Sequence, residues 1–211
     1  MSGSDLRSST IPEVPGILTA DEVLATARSI ADLQRPNGMI PWNQGGHCDP
    51  WNHVETAMAL TVVGMLEEAE AAYQWLADIQ LGDGSWFNYY LSHSIKDQRL
   101  DTNVCAYLAT GVWHHYLVTG DEAHLVKLWP TVARAMEFIL RLQLPDGSIR
   151  WSLDTAGRPE SYALLTGSSS VYHALRCAVA IAEQVGELRP DWELACGCLL
   201  YTSDAADDTP C

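Results

Sequence analysis

The sequence predicts an all-α fold in which helical hairpins are arranged as an (α/α) toroid or barrel. Three stretches of the 211 residues share one outline: an amphipathic helix ending in Gln, a turn with Gly, and then Trp. Each turn is followed by a loop and a more apolar helix, and this alternation indicates an outer and an inner layer. The loops within the hairpins differ in length, which favours a barrel with a site at one rim over an open solenoid.

The repeat is marked by Gln residues that lie 46 and then 63 residues apart. A Gln side chain can bond backbone groups at a helix end while an indole ring covers them, so we interpret these markers as structural ties between hairpins. The three sets of markers are Gln34, Gly38 and Trp42; Gln80, Gly84 and Trp86; and Gln143, Gly147 and Trp151.

Helix boundaries follow from capping signals. Thr19 with Glu22 forms a capping box, and Asp49 before Pro50 has the pattern of an N-cap followed by the first helical residue. These signals predict three hairpins, over 19–34 with 50–64, 67–80 with 102–118, and 122–143 with 169–185. A seventh helix is expected to begin near Asp191.

The two ends of the chain differ in composition from the part between them. Residues 1–16 are polar and are expected to be a disordered segment that precedes a partial toroid domain over 17–197. Residues 198–211 resemble the translation of a transposase adapter used in sequencing libraries, so a non-native tail is expected there. On this interpretation the chain is a C-terminally truncated fragment.

Composition excludes several classes of protein. The 12 basic and 27 acidic residues leave a formal charge of −15, which argues against nucleic acid as a partner. No apolar run approaches the roughly 20 residues of a transmembrane helix, and no secretion signal is visible. The six Cys residues are therefore expected to be free thiols in a cytoplasmic protein.

The second repeat carries a resemblance to a known family. Trp75-Leu76, Gln80, Gly84 and Trp86 are spaced as in the QW motif of squalene and oxidosqualene cyclases. The chain therefore resembles the terpenoid cyclase and protein prenyltransferase toroid superfamily, in particular bacterial prenyltransferase or squalene-cyclase-like proteins. In that superfamily six hairpins close the toroid, so about three of six would be present. The resemblance implies a prenyltransferase or terpenoid-cyclase-like enzyme with an isoprenoid substrate.

A second resemblance implies different chemistry. The segment from Tyr116 to Asp121, followed by Leu128-Trp129-Pro130, is similar to one found in six-hairpin (α/α)6 glycosidases. Those enzymes cleave sugars with two carboxyl groups. A carbohydrate-active enzyme is therefore the alternative function, and a non-catalytic binding toroid is a further one. The cofactor is left unknown.

Three carboxylates are the candidate catalytic residues. Asp49 and Asp101 occupy equivalent rim positions before the first and second inner helices, and either can also be an N-cap. Glu55 lies one turn into an apolar helix, where a carboxylate needs a partner or a task. With the hairpins aligned on a shared Val, Glu55 takes the position of Cys105 and Tyr172.

Further polar and aromatic residues near the rim are candidates for substrate binding. They are expected to line a polar rim over an aromatic pocket suited to a small-molecule substrate, either isoprenoid cations or sugar rings. These candidates are His53, Asn103, Trp51, Tyr89, Tyr90 and Ser169. His47, Cys48, Asp49 and His53 are possible zinc ligands, but their spacing matches no standard signature, so no metal is assigned.

Overall fold

The computed structural model describes residue 11 and residues 13–207, and it forms the all-α toroid arrangement that the sequence predicts. These described residues form eight helices in chain order, and four short strands lie in the loops between the helices. The helices are α1 Ala20–Ala31, α2 Pro50–Val62, α3 Leu66–Ile79, α4 Thr102–Ala106, α5 Leu108–Thr119, α6 Glu122–Leu140, α7 Leu165–Gln184 and α8 Pro190–Asp207. The strands are β1 Tyr89–Tyr90, β2 Ile95–Asp97, β3 Leu100–Asp101 and β4 Ser152–Leu153.

The helices form two layers. Helices α2, α4 with α5, and α7 lie side by side and form the inner layer, while α3, α6 and α8 pack behind them. Helix α1 packs on the outside of α2. The predicted hairpins are therefore confirmed, with one interruption, because the second inner helix is divided into α4 and α5 at Tyr107.

The predicted caps are present. Thr19 and Glu22 form the reciprocal capping box at α1, and the Asp49 side chain accepts a hydrogen bond from the backbone N–H of Asn52 at the start of α2. Asp121 caps α6 in the same way by accepting from His124. Asp121 follows the C-terminus of α5, so it lies at the opposite rim from Asp49.

The third inner helix begins earlier than the sequence predicts. Helix α7 starts at Leu165, and its N-cap residue Leu164 makes no side-chain capping bond. The segment from Thr166 to Ser170 therefore lies inside the first two turns of the helix and not before it. Within this segment, Ser168 Oγ accepts a 3.5 Å hydrogen bond from the backbone N–H of Ile149.

The predicted Gln ties are confirmed in all three repeats. Each Gln donates from Nε2 to the carbonyl of the Gly in its own turn and to a backbone carbonyl of the next outer helix. The second acceptors are Glu68 at 2.8 Å from Gln34, Thr131 at 2.9 Å from Gln80, and Ala195 at 3.2 Å from Gln143. The hairpins are thus joined in sequence by one repeated side-chain contact.

The Trp markers are not equivalent to one another. Trp86 is buried and donates from Nε1 to the carbonyl of Leu76 at 2.8 Å. The residues that follow Gln34 and Gln143 at the same spacing are Ile40 and Ile149, and both are buried. The prediction that Trp42 is a structural partner of Gln34 is therefore wrong, and the Trp42 side chain is 53% exposed at the rim.

Backbone pairing connects the loops at this rim. Cys48 and Tyr90 exchange two backbone hydrogen bonds of 2.8 and 2.9 Å, which link the first loop to the second. Strands β3 and β4 pair antiparallel, with Leu100 opposite Leu153, and link the second loop to the third. The rim residues before α2 and α4 are therefore held by a continuous set of contacts between neighbouring loops.

The terminal predictions are only partly within the described part of the chain. Residues 1–10 and 12, for which disorder is predicted, lie outside it, whereas Val14 and Leu18 form an antiparallel bridge. Helix α8 continues through Cys198 to Asp207, and residues 208–211 lie outside the described part. A non-native origin of 198–211 stays a prediction. Among the described residues, no helix combines the length and apolarity needed to cross a membrane.

Candidate active site

Asp49 and Asp101 begin successive inner helices at equivalent positions. Asp49 Oδ1 accepts from the backbone N–H of Asn52 at 2.9 Å, and Asp101 Oδ1 accepts from that of Val104 at 3.1 Å. Both carboxylates are buried. The sequence prediction that the two residues occupy the same level of the rim is confirmed, and so is the capping role of each.

Asp49 is held by more than its cap. Its Oδ2 atom accepts a 2.6 Å hydrogen bond from Trp42 Nε1 and a 3.0 Å bond from Asn52 Nδ2. Because both oxygens accept hydrogen bonds, the carboxylate has a fixed orientation at the cavity mouth. Trp42, although half-exposed, thus helps to orient the Asp49 carboxylate.

Burial affects the protonation of the Asp101 carboxyl group. Burial raises the pKa of Asp101 above its usual range, while hydrogen bonds from the Val104 backbone and the Trp151 side chain act in the opposite direction. A carboxyl group with a raised pKa keeps its proton to a higher pH than usual, which is the direction that a general acid requires. Asp101 therefore suits a general acid better than its capping role alone indicates.

Glu55 lies deeper in the cavity than the rim carboxyls. It follows Asp49 by six residues on α2, which corresponds to about 9 Å along the helix axis. The buried side of α2 includes His53, Val54 and Ala57, whereas Glu55 is only partly buried on the opposite side. Tyr107 Oη donates a short hydrogen bond to Glu55 Oε1.

The alignment that places Glu55 at the level of Cys105 and Tyr172 is wrong. The residues with equivalent contacts are His53, Cys105 and Ser168, which accept from the backbone N–H groups of Ile40, Trp86 and Ile149. On this register the neighbours of Glu55 at the same depth are Tyr107 and Ser170. Alignment on Val failed because Val recurs on the apolar sides of these helices and does not mark one register.

His53 faces the outer layer and not the cavity. Its Nδ1 accepts from the backbone N–H of Ile40 at 3.2 Å, and its Nε2 bonds the carbonyl oxygen of Ala72 at 2.9 Å. The ring is therefore the neutral tautomer with hydrogen on Nε2, and burial lowers the pKa of His53 to about 4. Its prediction as a substrate-binding residue is corrected, because both nitrogens are occupied away from the cavity.

The aromatic candidates have different environments. Trp51 stacks on Tyr107, with ring centroids 4.8 Å apart and an interplanar angle of 31°. Tyr89 contacts His47 at the exposed rim, whereas Tyr90 is buried and packs against Trp75. Trp51 and Tyr89 are thus placed to meet a ligand, and Tyr90 has a structural position.

Two further candidates lie on separate inner helices. Asn103 is in the first turn of α4, and its Oδ1 atom is buried without a hydrogen-bond partner. Ser169 is exposed on α7, in the second turn of that helix. Asn103 is therefore two residues from Asp101, whereas Ser169 lies on the next inner helix, α7, which packs against α4 and α5.

The possible zinc ligands do not converge. Cys48 is buried with its Sγ near the carbonyl of Asp49, and His53 is directed toward α3. His47 instead lies at the surface within 3.3 Å of Lys96 Nζ. In the part of the chain that the structure describes, no group of three or more His, Cys, Asp or Glu side chains is arranged to hold a metal ion.

Sequence reasoning missed Tyr107 and His114. Tyr107 follows Asp101 by the same six residues that separate Glu55 from Asp49, so aligning the hairpins on their N-cap Asp residues would have found it. His114 lies farther along the same side of α5, and burial lowers its pKa while the negative charge of Glu55 opposes this effect.

Solved structures define the class of fold. The chain superposes on a sugar epimerase from a ruminal bacterium with a TM-score of 0.62 and 15% identity, covering 85% of this chain and 50% of that one. It superposes on the unsaturated glucuronyl hydrolase of Bacillus sp. GL1 with a TM-score of 0.60 and 18% identity, covering 88% and 55%. At these identities the likeness concerns the fold, which is the (α/α)6 toroid type of the glycosidases.

Relatives found by sequence say more about chemistry than the solved structures do, because one of them is much more similar to this chain. The chain is 50% identical over 187 residues to an MMP endo-(1,4)-3-O-methyl-alpha-D-mannosidase of Mycolicibacterium hassiacum, which covers 89% of this chain and 52% of the relative. It is 25% identical over 132 residues to an uncharacterized glycosyl hydrolase of Methanocaldococcus jannaschii, covering 62% and 21%. The chain thus spans about half the length of the first relative and about a fifth of the length of the second. No protein-family profile matches it.

These relatives overturn the first resemblance. The interpretation as a terpenoid cyclase or prenyltransferase, and with it a transferase acting on an isoprenoid, is wrong, because the matching relatives are glycoside hydrolases. The QW-like spacing misled because Gln80 and Trp86 stabilise the hairpin and contribute nothing specific to chemistry. The findings favour the alternative based on the segment from Tyr116 to Asp121.

Proposed function

We propose that the protein is a glycoside hydrolase and that this chain contributes the rim and one wall of its active site. The observation that carries the proposal is the 50% identity to the M. hassiacum mannosidase over 89% of the chain. The aligned length includes most of the inner helices, where the candidate carboxyls lie. The proposed substrate is a mannose polysaccharide, in particular one with α-(1,4)-linked 3-O-methylmannose units.

The rim carboxyls supply groups that this reaction needs. Hydrolysis of a glycosidic bond commonly uses one carboxylic acid that protonates the leaving oxygen and one carboxylate that activates water or attacks the sugar. Asp101 suits the first role, because burial raises its pKa. Asp49, oriented by Trp42 and Asn52, suits the second, and Glu55 lies deeper as a group for binding the sugar.

The environment of the rim also suits a carbohydrate. Sugar rings are recognised by aromatic surfaces together with hydrogen-bonding side chains, and carboxylates are strong acceptors for hydroxyl groups. Trp51 and Tyr107 offer adjacent rings, and Asn103 is a partly exposed amide in the first turn of α4. An isoprenoid would cover the free oxygen of the partly exposed Glu55 without offering it a hydrogen-bond donor, at a cost in affinity.

The test is an assay of the full-length protein with defined substrates. We expect the release of new reducing ends from α-(1,4)-linked 3-O-methylmannose oligosaccharides, with slower release from unmethylated α-(1,4)-mannose oligosaccharides of equal length. Farnesyl diphosphate serves as the negative control. Failure to cleave either saccharide would contradict the proposal, and binding of the saccharides without cleavage would indicate a non-catalytic binding toroid.

A further inference from the structure

A row of polar and aromatic residues follows the inner side of the first two inner helices. Its members are spaced one or two turns apart on the side opposite the outer layer, and the row is called the inner stripe below. The inner stripe comprises Trp51 and Glu55 on α2, Asn103 on α4, Tyr107 between α4 and α5, and His114 on α5. All five residues are partly exposed, whereas the sides of these helices that face the outer layer carry buried residues such as Val54, Ala57 and Leu108.

Glu55 and Tyr107 form the centre of the inner stripe. Tyr107 Oη donates to Glu55 Oε1, and among the described residues it is the only hydrogen-bond donor to this carboxylate. Burial raises the pKa of Tyr107, and the bond to Glu55 adds to this effect, so the phenol stays protonated as a donor. One oxygen of Glu55 is thus fixed, and the other is left for a second donor.

The aromatic residues of the inner stripe, Trp51 and Tyr107, pack against each other, and Tyr107 is also bonded to Glu55. The Tyr107 ring stacks on Trp51, whose Nε1 atom is buried and has no hydrogen-bond partner. Asn103 Oδ1 and His114 Nδ1 are likewise buried and unpartnered. Buried polar atoms without partners are rare in folded proteins and are costly unless something bonds them. Here they belong to three partly exposed residues that lie before and after Glu55 and Tyr107 along these helices.

We infer that the inner stripe is a saccharide-binding subsite below the Asp49 and Asp101 rim, and that Tyr107 is the positioning residue that orients Glu55 within it. This inference rests on the proposed function and deepens it. The free oxygen of Glu55 accepts hydrogen bonds from sugar hydroxyls, and the Trp51–Tyr107 pair offers a ring surface to the sugar. Tyr107 acts on the substrate through Glu55.

The depth of the inner stripe supports a position separate from the reacting bond. Glu55 and Tyr107 each follow their rim Asp by six residues, or about 9 Å along the axis of a continuous helix. A sugar unit at this depth would be bound next to the unit whose bond lies between the rim carboxyls. The inner stripe therefore determines how far the polysaccharide enters before cleavage.

The test is a double-mutant cycle on the full-length protein. Tyr107→Phe keeps the ring against Trp51 and removes Oη, and Glu55→Leu removes both carboxylate oxygens, including the acceptor of this bond. Each single variant is expected to lower kcat/KM for the saccharide by about 10-fold or more, as the loss of hydrogen bonds to charged groups does. The double variant is expected to lose no more than Glu55→Leu alone, because Tyr107 acts through Glu55.

A matched control separates positioning from folding. Tyr73→Phe removes another buried phenol, which donates to the carbonyl of Gly111 at 3.0 Å outside the cavity. This variant is expected to lower Tm and to keep the wild-type kcat/KM. Multiplicative losses in the double variant, or a wild-type kcat/KM for Tyr107→Phe, would overturn the inference even if the wild type is an active hydrolase.

Binding calorimetry distinguishes failure of this inference from failure of the proposed function. If the wild type binds the 3-O-methylmannose oligosaccharide but does not cleave it, the hydrolase proposal fails. The inner stripe is then still supported when Tyr107→Phe weakens binding by about 10-fold, and it is overturned when Tyr107→Phe binds as the wild type does. Absence of both binding and cleavage by the wild type would overturn both proposals.

Discussion

The Nε2 atom of Gln80 donates a 2.9 Å hydrogen bond to the backbone carbonyl of Thr131, a residue 51 positions later in the chain. The same nitrogen bonds the carbonyl of Gly84, and Oε1 accepts from Arg134 Nε at 2.8 Å. One amide thus bonds a backbone carbonyl in the turn of its own hairpin and another in the middle of the next outer helix. Since the contact recurs at Gln34 and Gln143, the order of the hairpins is determined by these side chains.

Loss of this amide should destabilise the fold. Gln80→Leu has a similar size but leaves two carbonyl groups and a guanidinium without their partner. We expect the free energy of unfolding to fall by about 1–3 kcal/mol, as for other partly buried polar groups that lose their partners. Urea denaturation checks this. The control is Gln74→Leu, which removes a bond to Asp78 within α3 and should change stability by less than about 0.5 kcal/mol. Equal losses for the two variants would contradict the structural role of Gln80.

The glycine in the turn permits the close approach that this bond requires. Gly84 has φ of +95°, and a Cβ atom there would lie 2.1 Å from the carbonyl oxygen of Arg134. Gly84→Ala must therefore separate the turn from α6, and we expect a loss well above the roughly 1–2 kcal/mol of left-handed backbone strain alone. Gly120→Ala is the control, since its φ is +70° but its Cβ would meet nothing within 4 Å. Similar melting temperatures for the two variants would show that the clash is relieved without cost.

The hairpins could be predicted from the sequence, but the alignment of the inner helices with one another could not. The repeat could be recognised from Gln34, Gln80 and Gln143, because the same contact is made in each hairpin by the same type of residue. The position equivalent to His53 holds Cys105 and Ser168 in the other hairpins, because a ring nitrogen, a thiol and a hydroxyl all accept from one backbone N–H. These three residues make equivalent contacts but are of different types, so no repeated residue in the sequence marks this position.

The candidate site was predicted in part for a related reason. Asp49 and Asp101 were identifiable because capping by a short acidic side chain is a local property of the chain. The bond between Tyr107 and Glu55 joins residues 52 positions apart, and only packing of α2 beside α5 brings them together. Chemistry was the least predictable feature, because the repeated Gln and Trp residues belong to the hairpin and not to the site.

Removal of charge from the rim should abolish hydrolysis while preserving the helices. Asp49→Asn and Asp101→Asn keep a side-chain oxygen that can cap α2 and α4, since Asn caps a helix about as well as Asp does. We expect kcat to fall by about 100-fold or more in each variant, as for loss of a general acid or base. Circular dichroism and reducing-end assays of the full-length protein measure structure and activity.

The matched control for this change lies at the opposite rim. Asp121 caps α6 by accepting from the backbone N–H of His124 at 3.0 Å, so Asp121→Asn makes the same substitution in the same local role. This variant should retain the wild-type kcat. If Asp49→Asn or Asp101→Asn also retained it, the carboxyl concerned would be a helix cap and would take no part in the reaction.

Stability should decrease as the pH falls below 6.5, because His53 is buried in its neutral form. Burial lowers the pKa of His53 to about 4, whereas in the unfolded chain the value is about 6.5. The unfolded state therefore binds a proton that the folded state does not, and protonation favours unfolding between these values. His53 alone should reduce the free energy of unfolding by about 1.4 kcal/mol per pH unit in this window, and on the order of 3 kcal/mol in total.

The contribution of His53 can be separated from that of other groups. His115 is also buried, its pKa is lowered to about 4, and it acts in the same direction, so the wild-type slope contains more than one proton. His53→Gln, measured by urea denaturation from pH 7 to 4.5, should be less stable at pH 7 and show a slope lower by about one proton. His93→Gln makes the same substitution at an exposed histidine and provides the control for the substitution itself. An unchanged slope in His53→Gln would mean that His53 is protonated in the folded protein, contrary to its bond from the Ile40 N–H.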